Sequence, residues 1–270
     1  MKMIFLGDIA GRPGRDSVTK WVPLLRKEHG LDFVVANAEN MAGGSGITHE
    51  TLKEIYGAGV DAVTLGNHMF RQKDIDAILP SDRKVVRPLN FTKDIAGKGY
   101  RVFTLENGKR VAVVSLYGSV WMPNKAHCPF DASRKFFLDY RLGTDYDAMI
   151  VDVHAETTAE KQCLGELWDG KASLFVGTHT HTPTSDTRIK PKGTAYQTDA
   201  GMCGDYESSL GDTFECSLPR FESSRGGRRE VASGEGTLTG VYVETDDNTG
   251  LAVDVQAFRY GGCLQQKEIK

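Results

Sequence analysis

The chain is poor in the features that mark several common classes of protein. Its five cysteines are widely spaced with no CxxC pair, so we expect neither a disulfide framework nor a thiolate zinc site. No apolar run is long enough for a membrane helix, and the first residues are charged too early for a signal peptide. A net charge of -3 provides no basic surface for nucleic acid or anionic lipid. We therefore expect a cytoplasmic protein without membrane or strong nucleic-acid partners.

Apolar runs that alternate with helical patterns predict an α/β fold in the first part of the chain. This alternation is typical of βαβ units and of a largely parallel sheet covered by helices on both faces. A glycine at position 30 fits the end of the first helix. The predicted strands cover 3–8, 33–40 and 60–68, and the predicted helices cover 16–29, 48–58 and 72–79.

The rest of the chain contains patterns typical of antiparallel hairpins and patterns typical of parallel strands. The Asn107-Gly108 dipeptide predicts the turn of a β-hairpin over 100–118. The segment 237–260 predicts two alternating strands, which either complete a sheet or provide an edge for a homo-oligomer. Further predicted elements are a helix at 133–140, strands at 148–156 and 173–181, and a helix opened by a capping box from Thr157 to Glu160.

Two of the seven histidines, His179 and His181, lie one residue apart after the apolar run 173–176. Side chains i and i+2 of an extended strand point the same way, so both imidazoles could bind one metal ion. Taken alone, the pair is better explained as two exposed histidines on a polar loop, because a two-residue match is a weak motif. Other segments of the chain must therefore decide between a metal site and two exposed histidines.

Polar groups follow each of five apolar runs along the chain. In sheets of this kind, ligands bind outside the carboxyl ends of the strands. A turn or a helix cap would explain one such residue, but it does not explain the whole series. The sequence therefore predicts a metal centre. The candidate residues are Asp8, Glu39, Asn40, Asn67, His68, His154, His179 and His181.

The chemistry of these side chains narrows the metal and the reaction. Carboxylates, carboxamides and imidazoles without a thiolate suit Mn, Fe or Zn, and the set is too large for one ion. Two ions that share a carboxylate can hold a bridging hydroxide and can clamp the attacking and leaving oxygens at phosphorus. The residues therefore favour a metal-dependent phosphoester hydrolase.

These blocks resemble the calcineurin-like binuclear metallophosphoesterases. GD at 7–8, GNH at 66–68, VHAE around His154 and GTHTH at 177–181 occur in the order of that family. Two blocks depart from its usual pattern: Ala10 stands where a histidine ligand is usual, and NAEN at 37–40 replaces the aspartate block. In these two blocks the sequence resembles a bacterial subfamily that includes cyclic-nucleotide phosphodiesterases.

The resemblance implies a fold, a cofactor and a ligand set. The fold would be a four-layer α-β-β-α sandwich with two mixed sheets, in a single domain over 1–270. The cofactors would be two divalent or trivalent transition-metal ions, Fe, Mn or Zn. One ion would be held by Asp8, Glu39, Asn40 and His181, and Glu39 would bridge to a second ion held by Asn67, His154 and His179.

The resemblance also implies a reaction on a small phosphoester, a cyclic nucleotide in particular. Hydroxide bridging the two ions would attack phosphorus while His68, which should point away from Asn67 on an extended segment, assists the leaving oxygen. Alternatively, His68 only orients ligands. Two other functions stay open: a phosphomonoesterase or nucleotidase with the same centre, and a non-enzymatic regulatory protein that retains the metals.

The remaining polar residues carry weaker signals. The glycines of 7–15 lack the spacing of a phosphate-binding loop. Arg12 and Arg15 are predicted to be solvated, and the alternative is that one of them contacts the substrate phosphate. The segment 198–211 is a candidate pocket lining without a fixed role, and 222–236 fits a lid or a linker equally well. Three histidines without a strand-end position are predicted to be non-ligands: His29, His49 and His127.

Overall fold

Two six-stranded sheets packed face to face form the centre of the protein. The computed structural model describes residues 1–92, 94–223 and 228–270. The strands are β1 (Lys2–Leu6), β2 (Asp8–Ile9), β3 (Phe33–Asn37), β4 (Ala62–Thr64), β5 (Val85–Val86), β6 (Tyr100–Thr104), β7 (Arg110–Tyr117), β8 (Ala148–His154), β9 (Leu174–Thr178), β10 (Arg188–Ile189), β11 (Ala195–Gln197), β12 (Met202–Cys203), β13 (Leu238–Thr245) and β14 (Ala252–Tyr260). The helices are α1 (Gly11–His29), α2 (His49–Gly57), α3 (Ile75–Ser81), α4 (Pro129–Asp139), α5 (Thr158–Trp168) and α6 (Phe214–Ser223).

Both sheets are mixed, as predicted. The first has the order β14-β13-β1-β3-β4-β5, and its strands β1, β3, β4 and β5 are parallel. The second has the order β10-β11-β9-β8-β7-β6, with β7, β8, β9 and β11 parallel. The hairpin at Asn107-Gly108 forms as β6 and β7. The carboxyl ends of the parallel strands provide the edge at which a site was predicted.

The two sheets and their helices form four layers. Strand β8 is buried along its whole length, and its side chains alternate between two cores: Ile150 packs between the sheets, whereas Val151 packs towards Leu164 of α5. On the far side of the first sheet, Val18 and Val22 of α1 pack in a third core. This arrangement confirms the predicted four-layer α-β-β-α sandwich.

Several predicted boundaries are wrong. The strands that carry the site end early, at Leu6, Asn37, Thr64 and Thr178, so most site residues lie in the turns that follow. The first helix begins at Gly11 rather than at 16, and its end at a left-handed Gly30 is confirmed. The other predicted helices shift by a few residues at their ends, to 49–57, 75–81 and 129–139, and α6 was not predicted.

The predicted capping box at α5 does not form. Thr157 occupies the N-cap position, but its side chain makes no capping hydrogen bond. The Glu160 carboxylate instead accepts hydrogen bonds from the backbone N–H groups of Ser119 and Val120, at 2.9 and 3.3 Å. A tertiary contact has therefore replaced the local one that the sequence pattern suggested.

The C-terminal hairpin completes the first sheet. Strand β13 pairs antiparallel with β1, and β14 lies at the edge of that sheet. A homo-oligomer through this edge stays a prediction. Among the described residues, no helix combines the length and the apolar character needed to cross a membrane.

Candidate metal centre

The candidate residues meet where the carboxyl ends of the two sheets adjoin. Asp8 and Glu39 follow strands of the first sheet, whereas His154 and His179 belong to the end of the second. The backbone N–H of His179 donates to Asp8 Oδ2 at 3.0 Å, and His154 Nε2 lies 3.3 Å from Glu39 Oε1. The site is therefore assembled from both halves of the sandwich.

One group of ligand atoms surrounds His154. One ligand atom each of Glu39, His154 and His179 lies within 4.8 Å of the others. His154 Nε2 is 2.9 Å from Asn67 Oδ1 and 3.0 Å from His179 Nδ1. These four residues are the ones predicted to hold the second ion.

A second group lies on the other side of Glu39. Asn40 Nδ2 is 3.2 Å from Glu39 Oε1 and 3.1 Å from His181 Nε2. His181 Nε2 in turn lies 4.0 Å from Asp8 Oδ1. The structure thus brings all seven predicted ligands together, with Glu39 between the two groups as a bridging carboxylate would be. Their assignment as ligands stays a prediction.

The two neighbouring histidines reach the cluster by a different route from the one predicted. Strand β9 ends at Thr178, and His179 and His181 have φ angles of 96° and 62°, so they lie on a left-handed turn. The two imidazoles are therefore not aligned by strand alternation, and that prediction is wrong for this pair. Asp199 holds the turn by accepting hydrogen bonds from the backbone N–H and the hydroxyl of Thr180, at 3.1 and 2.8 Å.

His68 also faces the cluster, contrary to the prediction that it points away from Asn67. Residues 67–70 form a turn rather than an extended segment. His68 Nδ1–H donates to Asn40 Oδ1 at 2.5 Å, and its backbone N–H donates to Glu39 Oε2 at 3.0 Å. The turn comes so close that a Cβ at Gly66 would collide with the His154 ring and the Glu39 carboxylate.

Each of the three cluster histidines has its outer nitrogen bound to an oxygen atom. This arrangement fixes the tautomer and leaves the lone pair of the inner nitrogen directed into the cluster. The outer partners are Thr178 Oγ1 for His154 at 2.9 Å, Glu156 Oε2 for His179 at 3.0 Å and the Leu210 carbonyl for His181 at 2.9 Å.

The cluster has the donor set and the charge deficit of a cation site. Asp8 is fully buried, and its Oδ1 has no hydrogen-bond partner among the described residues. The lone pairs of His154 and His179 face each other across 3.0 Å, which is repulsive unless a proton or a cation lies between them. Burial alone would lower the pKa of His154, but the carboxylates of Glu39 and Asp8 raise it to about 9. Metal ions would supply the missing positive charge, so the residues fit them.

A buried polar network supports His154 from behind. The Thr178 hydroxyl donates to Asp152 Oδ1 at 2.7 Å, so its oxygen is free to accept the Nδ1–H of His154. Asp152 Oδ2 also accepts from Thr64 at 2.5 Å and from Asn37 at 3.0 Å. This network was not predicted, although the sequence shows a carboxylate two residues before His154 in an otherwise apolar run.

Comparison with known proteins identifies the family. The model of the YmdB-like proteins matches residues 4–258. The chain belongs to this YmdB-like family. It is 40% identical over 256 residues to the 2′,3′-cyclic-nucleotide 2′-phosphodiesterase of Bacillus subtilis (strain 168), covering 95% of this chain and 96% of that protein. The membership agrees with the predicted metallophosphoesterase superfamily.

Two solved structures have the same fold along nearly the whole chain. A hypothetical protein from Thermus thermophilus is 35% identical, with a TM-score of 0.90 and coverage of 96% of this chain and 99% of that one. A protein described as a novel phosphatase from Mycoplasma pneumoniae is 36% identical, with a TM-score of 0.89 and coverage of 96% and 93%. The similarity extends over both sheets and therefore over both halves of the cluster.

The cluster of this YmdB-like protein borders an open cavity of about 350 Å³. Within the segment 198–211, Ser209 and Leu210 line it, which gives that segment the role the sequence left open. Arg229 lines it from the segment 222–236, of which residues 224–227 lie outside the described part of the chain. Glu156 and residues of α6 also reach the cavity, and neither was predicted from the sequence.

The residues that were not assigned to the site lie elsewhere in the structure, and for one of them the predicted environment is wrong. Arg15 is not solvated: its guanidinium donates to Glu54 Oε2 and to the Met41 carbonyl, each at 2.6 Å. Arg12 is 82% exposed, as predicted. The three histidines predicted to be non-ligands are absent from the described metal-ligand group and from the lining of its cavity: His29, His49 and His127.

Proposed function

We propose that this YmdB-like protein is a metal-dependent phosphodiesterase that hydrolyses cyclic nucleotides. The observation that carries the proposal is the set of imidazole lone pairs and buried carboxylates that converge at the floor of an open cavity. The names of the relatives confirm the predicted phosphoesterase class: one is a 2′,3′-cyclic-nucleotide 2′-phosphodiesterase and another is a phosphatase. The cyclic-nucleotide substrate is transferred to this chain from the first of these relatives.

Two transition-metal ions, with Fe, Mn and Zn as candidates, are the proposed cofactors. The group around Asn40 would hold one ion and the group around His154 would hold the other, with Glu39 shared between them. When bound, the ions supply Lewis-acid polarisation of the phosphoryl group and a nucleophile at neutral pH. The protein's part is to direct the lone pairs inward and to bury the carboxylates that carry the balancing charge.

His68 is the proposed catalytic residue. It lines the cavity, and because its Nδ1–H is donated to Asn40, its Nε2 is the nitrogen left to exchange a proton with the leaving oxygen. The contact with Asn40 also fits the alternative in which His68 only orients a ligand. Metal content and turnover of a His68 variant separate the two roles. Loss of an orienting residue should lower the metal content, whereas loss of a proton-transfer residue should lower turnover alone.

The first test is hydrolysis of bis-p-nitrophenyl phosphate by protein stripped of metal and then reloaded with manganese. Turnover should vanish on stripping and return on reloading. Glu39→Ala should lose metal and turnover together, whereas Glu106→Ala, an exposed position in the β6–β7 hairpin, is the matched control. Full retention of both ions in Glu39→Ala would contradict the ligand assignment.

A phosphomonoesterase or nucleotidase is the second candidate, which the phosphatase description of the Mycoplasma pneumoniae relative favours. Rates on a matched monoester and diester of p-nitrophenol distinguish the two, and a faster monoester would favour this alternative. Full metal content without turnover on either ester would contradict both enzymes and favour the regulatory protein.

A further inference from the structure

A second cavity adjoins the first and is also lined by His68. It has a volume of about 510 Å³ and shares four lining residues with the cavity at the metal centre. The two cavities are therefore adjoining parts of one cleft, and the residues that line both are His68, Asp212, Arg220 and Arg229. The residues that line the second cavity are Gly43, Ser45, His68, Arg71, Asp212, Arg220 and Arg229.

This second cavity, which we call the arginine cavity, carries a surplus of positive charge. Three guanidinium groups, of Arg71, Arg220 and Arg229, line it against one carboxylate, Asp212. Asp212 is engaged by Arg229, whose Nε lies 2.6 and 2.7 Å from its two oxygens. Arg220 is 3.8 Å from the same carboxylate, and Arg71 has no ion-pair partner among the described residues. The lining of the cavity therefore carries three guanidinium groups against one carboxylate.

The most buried of these arginines is held in place before any ligand arrives. Arg229 Nη1 donates to the Gly44 carbonyl at 2.8 Å while its Nε is bound to Asp212. A guanidinium fixed in this way loses little side-chain entropy when it binds an anion, and its planar array of donors suits a phosphate group. Arg71, from the turn after β4, and Arg220, from α6, complete the site with fewer bonds to hold them.

We propose that the arginine cavity binds a second phosphate group of the substrate. This inference rests on the proposed function and specifies its substrate class. The reacting phosphate lies at the metal centre, and the part of the substrate that carries the leaving oxygen extends past His68 into the arginine cavity. The preferred substrate is then a nucleoside 2′,3′-cyclic phosphate that also bears a 5′-phosphate, because the reacting group and the second anion lie on opposite sides of one ribose.

The test compares two substrates that differ only in this group. The metal-loaded protein is assayed with adenosine 2′,3′-cyclic phosphate and with the same compound phosphorylated at the 5′ position, and kcat/KM is measured for each. The wild type should prefer the 5′-phosphorylated compound by at least about tenfold, and this ratio should fall with rising ionic strength because the contact is between charges. In the double variant Arg71→Gln, Arg220→Gln the ratio should fall towards one.

A matched control removes a charge outside the cavity. Arg134→Gln on α4, whose side chain is 62% exposed, should keep the wild-type ratio. A wild-type ratio near one, with both compounds hydrolysed, would overturn the arginine-cavity proposal and leave the proposed function standing. A ratio that persists in the double variant would also overturn it. Absence of turnover on both compounds, with metal bound, would overturn the cyclic-nucleotide function and this inference with it.

Discussion

Replacing Lys161 with methionine should destabilise the protein strongly. The Lys161 ammonium lies 2.7 Å from Asp199 Oδ2, and the two side chains are 0% and 1% exposed. Methionine keeps most of the side-chain volume but leaves the Asp199 carboxylate buried without its counter-charge. The change therefore isolates the electrostatic contribution of the pair from its packing.

The expected loss follows from what Asp199 retains. Removal of one partner of a buried ion pair costs about 3 to 5 kcal/mol. Asp199 keeps hydrogen bonds from Thr180 on one oxygen and from the Gly201 backbone N–H, at 2.8 Å, on the other. These remaining donors partly stabilise the lone carboxylate, so we expect a loss near the lower limit, about 3 kcal/mol in the free energy of unfolding.

Urea unfolding of the metal-free protein measures this loss without a contribution from bound ions. Lys171→Met is the control, because Lys171 is exposed and its ammonium contacts the Leu167 carbonyl and the Phe137 ring but forms no ion pair among the described residues. The double variant Lys161→Met, Asp199→Asn removes both charges and should lose less than the sum of its single changes. A loss below about 1 kcal/mol for Lys161→Met, or simple additivity in the double variant, would refute the reasoning.

Three further predictions concern the metal centre. Gly66→Ala adds a Cβ against His154 and Glu39, so the metal content should fall by at least about half when measured by plasma emission spectrometry, and full occupancy would contradict the close approach. Thr178→Val removes the hydroxyl between His154 and Asp152, so metal affinity measured by competition with a chelator should fall about 10- to 100-fold; an unchanged affinity would show that the hydroxyl does not orient the ring. His68→Ala should keep its metal and lose at least about 100-fold in turnover, with His49→Ala as the control, and unchanged turnover would rule out its catalytic role.

The position of the centre was predictable from the sequence because strand ends are local features. Apolar runs reveal the buried strands, and parallel strands bring their carboxyl ends to one edge. Asp8 and His154 were therefore found without knowledge of the loops. The boundaries were less accurate, since the buried Ala38 and Leu65 extend the apolar runs by one residue beyond the strand ends at Asn37 and Thr64.

The walls of the cleft were not predictable, because they come together only through tertiary structure. Arg71 and Arg229 are 158 positions apart in the numbering, and nothing local to either one indicates a shared cavity. Arg15 shows the opposite error: an arginine in a polar, glycine-rich segment suggests solvation, yet the packing of α1 against α2 provides Glu54 as its partner. The environment of a side chain depends on such tertiary contacts, whereas the position of a strand depends mainly on the local sequence.

The buried Asp199 also explains how the ligands from the two sheets are held in position relative to one another. Its hydrogen bonds to Thr180 fix the turn between His179 and His181, and its bond to the Gly201 N–H fixes the residue whose carbonyl accepts from the Asp8 N–H at 3.0 Å. Lys161 connects the same carboxylate to α5. None of these bonds involves a metal ion, so the backbone around the ligands is positioned before an ion binds. Substitution of a single ligand should therefore empty a site without unfolding the sandwich, whereas loss of Lys161 should affect both.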